Sequence, residues 1–210
     1  MLEIHEIPVT PFQQNCTLLV CSETGAAAVC DCGDADPVLH KIQQLGVDVQ
    51  QIIATHGHLD HVGGTHDLKA ALEVPFWFPA GDTWLLEGIS AQARMYGLPP
   101  LTPAIPDGDL PIGVDIKIGN CNLEVRHCPG HTPGHIVFFD AEGLQAVVGD
   151  VLFQGSIGRT DFERGSLAEL TQSIQQQLYT LPGQTIVHCG HGPTTTIGHE
   201  AATNPFVRSA

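Results

Sequence analysis

The sequence predicts an α/β fold in four layers, with two facing β-sheets and helices on both outer faces. Three observations lead there. Short apolar runs rich in Val, Ile, Cys and Ala alternate with turn residues and with stretches of helical period. The rhythm occurs twice, on either side of a Pro- and Gly-rich middle from Pro75 to Pro111. Two strand-rich halves, each with its own helices, stack as two sheets face to face more readily than they merge into one doubly wound sheet.

In the first half, Leu2 to Pro8, Cys16 to Cys21 and Ala26 to Cys30 read as strands separated by polar turns. A helix follows from about Pro37 to Leu45, with Asp36 as its cap, Pro37 at its first turn and Gly46 as its stop. Val49 to Ala54 is a short apolar strand, and a further helix is expected from about Val62 to Leu72. In the second half, Asp115 to Ile118, Asn122 to His127, Ile136 to Asp140, Ala146 to Val148 and Thr185 to His188 read as strands, with a helix over about Leu167 to Leu178. The middle, Pro75 to Pro111, reads as linker and surface with a short helix near Asp82 to Glu87.

With 210 residues, 42% of them hydrophobic, the chain suits a single globular domain spanning residues 1–210. Twenty-three acidic residues against eight basic ones give a formal charge of −15, the wrong sign for a protein that grips phosphate backbones, so nucleic acid is not an expected partner. No charged-then-apolar leader opens the sequence, and no apolar run approaches the ~20 residues of a membrane span. A cytoplasmic protein without a membrane partner is the expectation. The seven cysteines show no CxxC spacing and fit a reducing compartment as small apolar residues. Cys128 and Cys189 stand near His131 and His191 and are read as neighbours of a site, not as ligands.

Between the strand ending at Ala54 and the next helix lies THGHLDHVGG, Thr55 to Gly64. Three histidines and an aspartate occupy the six positions from His56 to His61. Imidazole and carboxylate are the donors that a borderline divalent metal prefers. His56 and His58, two apart, can converge on one ion, while Asp60 and His61 project to the neighbouring side and can hold a second. Two ions need more donors, and three segments offer them: His131 in CPGHTPGH, Asp150 in VVGDVLF and His191 in CGHGPT. A carboxylate such as Asp150 can bridge two cations. Of the remaining histidines, His5, His40, His66 and His199 are expected on surfaces or at helix ends. One of His127, His135 and His188 is expected to support a ligand by hydrogen bonding.

At these residues the chain resembles the metallo-β-lactamase superfamily. Within it the chain looks most like the type II glyoxalases (hydroxyacylglutathione hydrolases), in the short form without their C-terminal helical domain. THGHLDHVGG, HCPGHTPGH, VVGDVLFQGSIGRTDFERG and GHGPTTTIGHEAATNPF carry the likeness. It implies an αβ/βα sandwich with His56, His58 and His131 on a first metal, Asp60, His61 and His191 on a second, and Asp150 bridging. It also implies two divalent ions, zinc foremost with iron or manganese as alternatives, and a small-molecule thioester substrate such as S-lactoylglutathione. A hydroxide shared by the ions would attack the carbonyl while Asp60 accepts its hydrogen. The likeness places Arg159 against the glutathione part, whereas its neighbourhood also suggests ion pairs of Arg159 and Arg164 with Asp161 and Glu163. Two alternatives remain: a persulfide dioxygenase of the same superfamily, with one iron on His56, His131 and Asp150, and a lactonase or other small-ester hydrolase. A secreted lactamase would carry a Cys ligand in its second site, which is absent here.

Overall fold

A computed structural model describes residues 1–208. Its first sheet takes β1 (Leu2–Val9), β2 (Gln14–Cys21), β3 (Ala26–Cys30), β4 (Asp48–Ile53), β5 (Phe76–Phe78) and β6 (Gly108–Asp109) in that spatial order. The second takes β7 (Ile116–Ile118), β8 (Cys121–His127), β9 (Ile136–Asp140) and β10 (Gln145–Gly149), and a separate hairpin of β11 (Leu152–Phe153) and β12 (Ser156–Ile157) leads out of β10. Beside β10 runs β13 (Ile186–Cys189), and β14 (Thr195–Thr196) is the edge, so the spatial order is β14-β13-β10-β9-β8-β7. The helices are α1 (Ala35–Leu45), α2 (Leu59–Val62), α3 (Thr65–Leu72), α4 (Thr83–Glu87), α5 (Ile89–Met95), α6 (Leu167–Ser173) and α7 (Ile197–Thr203). No helix among the described residues is long and apolar enough to cross a membrane.

The alternation of side chains along each strand sorts the core into three layers of contact. On β2, Cys16, Leu18 and Val20 face one cluster with Val38 and Ile42 of α1, while Leu19 and Cys21 face the other sheet. On β9, Val137 and Phe139 turn towards Leu170 of α6, and Ile136 and Phe138 turn inwards to meet Leu19 and Ile53. Helix, sheet, sheet, helix is the consequence, as the sequence rhythm implied. Phe138 is fully buried between the sheets, and its truncation to alanine should cost about 3–5 kcal/mol.

Local differences have local causes. Helix α1 begins at Ala35, because the Asp34 carboxylate, not that of Asp36, accepts from the Asp36 N–H and caps the first turn. Gly46 ends it at φ 65° as expected. The helix expected over Val62 to Leu72 is broken at Gly63 and Gly64 into α2 and α3. After Ser173, α6 widens into a π-helical turn over Ile174–Leu178.

The largest correction concerns Pro75 to Pro111, which is not linker. Phe76–Phe78 pairs parallel with β4 and carries Gly108–Asp109 beyond it, so this stretch completes the first sheet. Phe76 and Phe78 are buried in the core, and α4 and α5 follow as a cover. Its strands are too short, and its prolines too frequent, for periodicity to reveal them.

Candidate metal centre

The ends of several strands meet at one edge of the sandwich. Because β3 and β4 run parallel, as do β10 and β13, the segments leaving them emerge on the same side. Those segments carry Asp31, Thr55 to His61, Asp150 and His191, and the turn between β8 and β9 adds His131. All seven candidate ligands come together there.

His56, His58 and His131 form one group whose donor atoms lie within 4.8 Å of one another, and Asp60, His61 and His191 form another. In the first, His58 Nδ1 is 3.1 Å from His56 Nε2 and 2.9 Å from His131 Nε2. In the second, His191 Nε2 is 3.2 Å from Asp60 Oδ2. Asp150 lies between them, its Oδ1 3.3 Å from His61 Nε2 and its Oδ2 3.5 Å from His131 Nε2 and 3.7 Å from His191 Nε2.

The protons on the imidazoles follow from the partners of the opposite ring nitrogens. Thr55 Oγ1 donates to Asp31 Oδ2 at 2.7 Å, so the hydroxyl oxygen accepts from His56 Nδ1 at 3.0 Å. His61 Nδ1 donates to Asp31 Oδ2 at 2.9 Å, His131 Nδ1 to the Arg159 carbonyl at 2.7 Å, and His191 Nδ1 to the Phe12 carbonyl at 3.2 Å. Four Nε2 lone pairs are thereby turned inwards, with His58 presenting Nδ1 beside them. Burial drives the pKa of His56 well below its ordinary value and that of His58 to about 3, so those rings are neutral donors.

In the second group the balance of charge reverses. Burial alone would lower the His61 pKa, but Asp150, Asp31 and Asp60 outweigh it and raise it well above the usual value. For His191 burial is likewise outweighed by the hydrogen bond to Asp60 and the charge of Asp150. Asp150 in turn is held far below the carboxylate range, its burial overcome by His61, His131 and His191. Among the described residues, His61 Nε2 and Asp150 Oδ1 are buried without a hydrogen-bond partner. Lone pairs facing one another across about 3 Å, beside an orphaned carboxylate oxygen, are satisfied by cations. A set of imidazoles and carboxylates fits zinc or iron.

Backbone geometry makes the cluster accessible to these side chains. Asp31 follows β3 with φ 62°, a left-handed conformation unusual for aspartate, which turns its carboxylate back to take the Thr55 N–H at 2.7 Å as well as Thr55 Oγ1 and His61. A Cβ on Gly190 would stand 2.2 Å from Asp150 Oδ1, and one on Gly149, at φ 49°, would strike Thr55 Oγ1 at 2.4 Å. Only glycine leaves room there.

Sequence reasoning did not single out Asp31, Thr55, Asp82 or Gln92. Asp31 ends a strand in CDCGD, which is the mark it leaves in the sequence. Asp82, fully buried, accepts from the N–H groups of Gly57 at 3.1 Å and Gly134 at 2.7 Å and from Thr132 Oγ1 at 2.6 Å, tying the two histidine segments together. Gln92 accepts from the Leu59 N–H at 3.1 Å and donates to the Leu85 carbonyl at 2.8 Å. His135 is the supporting histidine that was expected: its Nε2 accepts from the Asp150 N–H at 3.1 Å, and its ring stacks 4.6 Å from that of His56. His127 Nε2 reaches the Pro133 carbonyl at 2.9 Å. His188 lies apart, between Glu6 Oε1 at 2.8 Å and Gln145 Oε1 at 3.2 Å, joining the two sheets. Cys128 and Cys189 are buried, burial pushes both thiols up to about 12, and neither belongs to a donor cluster.

His58, Asp60, His131, Asp150 and His191 form the floor of a cavity of about 610 Å³, with His56 and His61 buried beneath it. Arg159 lines it, but its Nε and Nη2 hold Asp161 at 2.7 and 2.6 Å, and its guanidinium lies 3.9 Å from the centre of the Phe162 ring. Phe162 meets the His58 ring edge-on at 5.2 Å. Arg164 is 3.9 Å from Glu163 and lies over Trp84.

The family model for the metallo-beta-lactamase superfamily matches residues 9–191. The chain belongs to that superfamily. It is a metal-dependent hydrolase, as its own donor clusters, its superfamily and its relatives' names agree. Hydroxyacylglutathione hydrolase GloC of Haemophilus influenzae is 43% identical over 210 residues, covering 99% of both chains. Among solved structures, TTHA1623 in a di-iron-bound form is 39% identical with a TM-score of 0.89, over 97% of this chain and 100% of that one. The BLEG-1 B3 metallo-beta-lactamase is 33% identical with a TM-score of 0.91, over 98% and 99%. A metallo-beta-lactamase fold therefore frames the site, and the four-layer expectation and its resemblance were sound.

Proposed function

We propose that this hydrolase cleaves thioesters, S-lactoylglutathione among them, to a hydroxy acid and glutathione, using two divalent ions. His56, His58 and His131 would hold the first, Asp60, His61 and His191 the second, and Asp150 both. One observation carries the reading: the Asp150 carboxylate stands between two complete donor triads at the floor of a substrate-sized cavity. The name of the Haemophilus relative supplies the substrate class. Zinc is the ion assigned, and the di-iron form of TTHA1623 makes iron its rival.

When bound, the ion pair supplies water of lowered pKa near neutral pH and a Lewis acid for the carbonyl. The chain's own part is orientation and proton handling. Asp31, Thr55 and the carbonyls of Phe12 and Arg159 fix four imidazoles by their Nδ1 protons, so no ring must reorient to donate its lone pair. The Asp60 carboxylate, 3.2 Å from His191 Nε2 and on the cavity lining, would accept the proton of the attacking water. Arg159 would steady the anionic glutathione end at the wall. A thiolate of pKa about 8.5 leaves without a strong general acid, so the site needs no further proton donor on that side.

The test is elemental analysis of purified protein beside three assays: S-lactoylglutathione cleavage, oxygen uptake with glutathione persulfide, and hydrolysis of a chromogenic β-lactam. Two zinc ions per chain with thioester cleavage are the expected result. One iron with oxygen uptake would replace this reading with a dioxygenase, and β-lactam turnover exceeding thioester turnover would move it to the activity named for BLEG-1.

A further inference from the structure

The stretch TTTIGHEAATNPF, Thr194 to Phe206, lies outside both donor triads, forms β14 and α7, and carries a fully buried carboxylate, Glu200. Three neutral donors meet it. Thr195 Oγ1 donates to Oε1 at 2.6 Å, while the Gly155 N–H at 3.0 Å and the Asn204 amide at 2.8 Å donate to Oε2. Asn204 is fully buried as well, and its orientation is fixed, because its Oδ1 accepts from the N–H groups of Phe206 at 3.0 Å and Val207 at 3.3 Å. Its Nδ2 therefore faces Glu200 and, at 3.0 Å, the Ser156 carbonyl.

Gly155 and Ser156 stand at the turn of the β11–β12 hairpin. That hairpin belongs to neither large sheet and has two residues in each strand, too few to keep a shape unaided. Its Phe153, Ser156 and Ile157 line the cavity, with the Phe153 ring 6.2 Å from that of His191, and the chain runs on from it to Arg159. The segment of His191 has ties of its own, since Asn15 Nδ2 donates to the carbonyls of Cys189 at 3.0 Å and Gly192 at 2.8 Å. We infer that Glu200 and Asn204 are positioning residues for the substrate: they lock the hairpin that walls the cavity beside His191, and so set KM without entering the chemistry. With the lock broken, the wall is in place for only a fraction of the time, and apparent affinity falls by that fraction. The inference rests on the cavity of the proposed function being the substrate site, and not on which bond is cleaved there.

Two isosteric exchanges on the metal-loaded enzyme separate this lock from mere packing. Glu200→Gln keeps it, since the amide oxygen accepts from Gly155 and Asn204 while the Thr195 hydroxyl turns to accept from the amide N–H. Asn204→Asp breaks it, by setting a carboxylate oxygen against Glu200 and the Ser156 carbonyl where a donor stood. On whichever of the three activities above the wild type shows, Asn204→Asp should raise KM about tenfold, as for a hairpin in place about a tenth of the time. Its kcat should stay within about twofold of wild type, and its metal content should be unchanged. Glu200→Gln should keep both constants within about twofold. An unchanged KM in Asn204→Asp, a loss falling on kcat, a loss of metal, or equal damage by both variants overturns the inference. Hydrogen exchange needs neither turnover nor a variant: in the wild-type enzyme the Gly155 N–H should be protected and should open together with the amides of α7. Free exchange at Gly155 while α7 stays protected overturns the lock, even if Asn204→Asp fails to fold.

Discussion

The two donor triads are close neighbours and are built differently. The first is three imidazoles, with His56 and His131 buried at 0% and 2% exposure. The second includes a carboxylate, and its His191 side chain is 29% exposed at the cavity. Burial pushes protons off His56 and His58 of the first, whereas the acidic groups around His61 and His191 of the second hold protons on. Neutral, enclosed donors favour slow exchange of whatever they hold. An acidic, open triad binds by charge and exchanges through solvent. The second position should therefore be the one that empties first.

The sharpest way to break this comparison is to remove the residue the triads share. Asp150→Ala should lower metal content towards one ion per chain, retained in the imidazole triad, and reduce turnover by about a thousandfold or more, since metal chemistry and water activation fail together. Two tightly held ions with near-normal turnover would show that Asp150 does not bridge.

Asp60→Asn keeps the shape of the second triad and removes its charge and its proton acceptor. A loss of about a hundredfold confined mainly to kcat is expected, the scale of a positioned proton acceptor. If KM rose and kcat stayed level, Asp60 would belong to substrate binding.

A smaller effect should come from outside the triads. Asp31→Asn weakens the acceptor that fixes His61 Nδ1–H directly and His56 only through Thr55, and should reduce affinity for the second ion about ten- to a hundredfold and for the first ion less. Competition with a graded chelator, followed by elemental analysis, reads this directly. Equal loss of both ions would mean that Asp31 holds up the whole edge of the sandwich.

The mildest concerns the wall. Arg159 is more than half exposed and already paired with Asp161, so Arg159→Gln should raise KM for S-lactoylglutathione only about three- to tenfold with kcat nearly constant. Steady-state kinetics on a neutral thioester without the glutathione moiety should show almost no change. Equal losses on both substrates would assign Arg159 a structural part.

The comparison also shows what a sequence makes visible. His56, His58, Asp60 and His61 are crowded into one loop, and such crowding has no reason in packing, so it is legible. The period of β2 and β9 is legible too, because each alternate residue meets a different layer of core. Asp31 was not, because its part depends on Thr55 and His61, 24 and 30 positions away, which only the fold brings to it. Nor was the strand at Phe76–Phe78, three residues long, whose pairing with β4 is decided by burial and not by any local pattern.

Asp82 and Gln92 hold the backbone of the histidine loop at Gly57 and Leu59, and between and beside them Trp84, Leu85 and Met95 shape the cavity. The part that would choose the substrate is thus bolted to the part that would choose the metal. A designer wishing to graft a new specificity onto this scaffold could exchange the exposed rim freely, but a transplanted α4 and α5 that lacked the carboxylate at 82 or the amide at 92 would loosen the loop beneath. Changes of taste in this enzyme should then arise by single side chains and seldom by the swapping of whole segments.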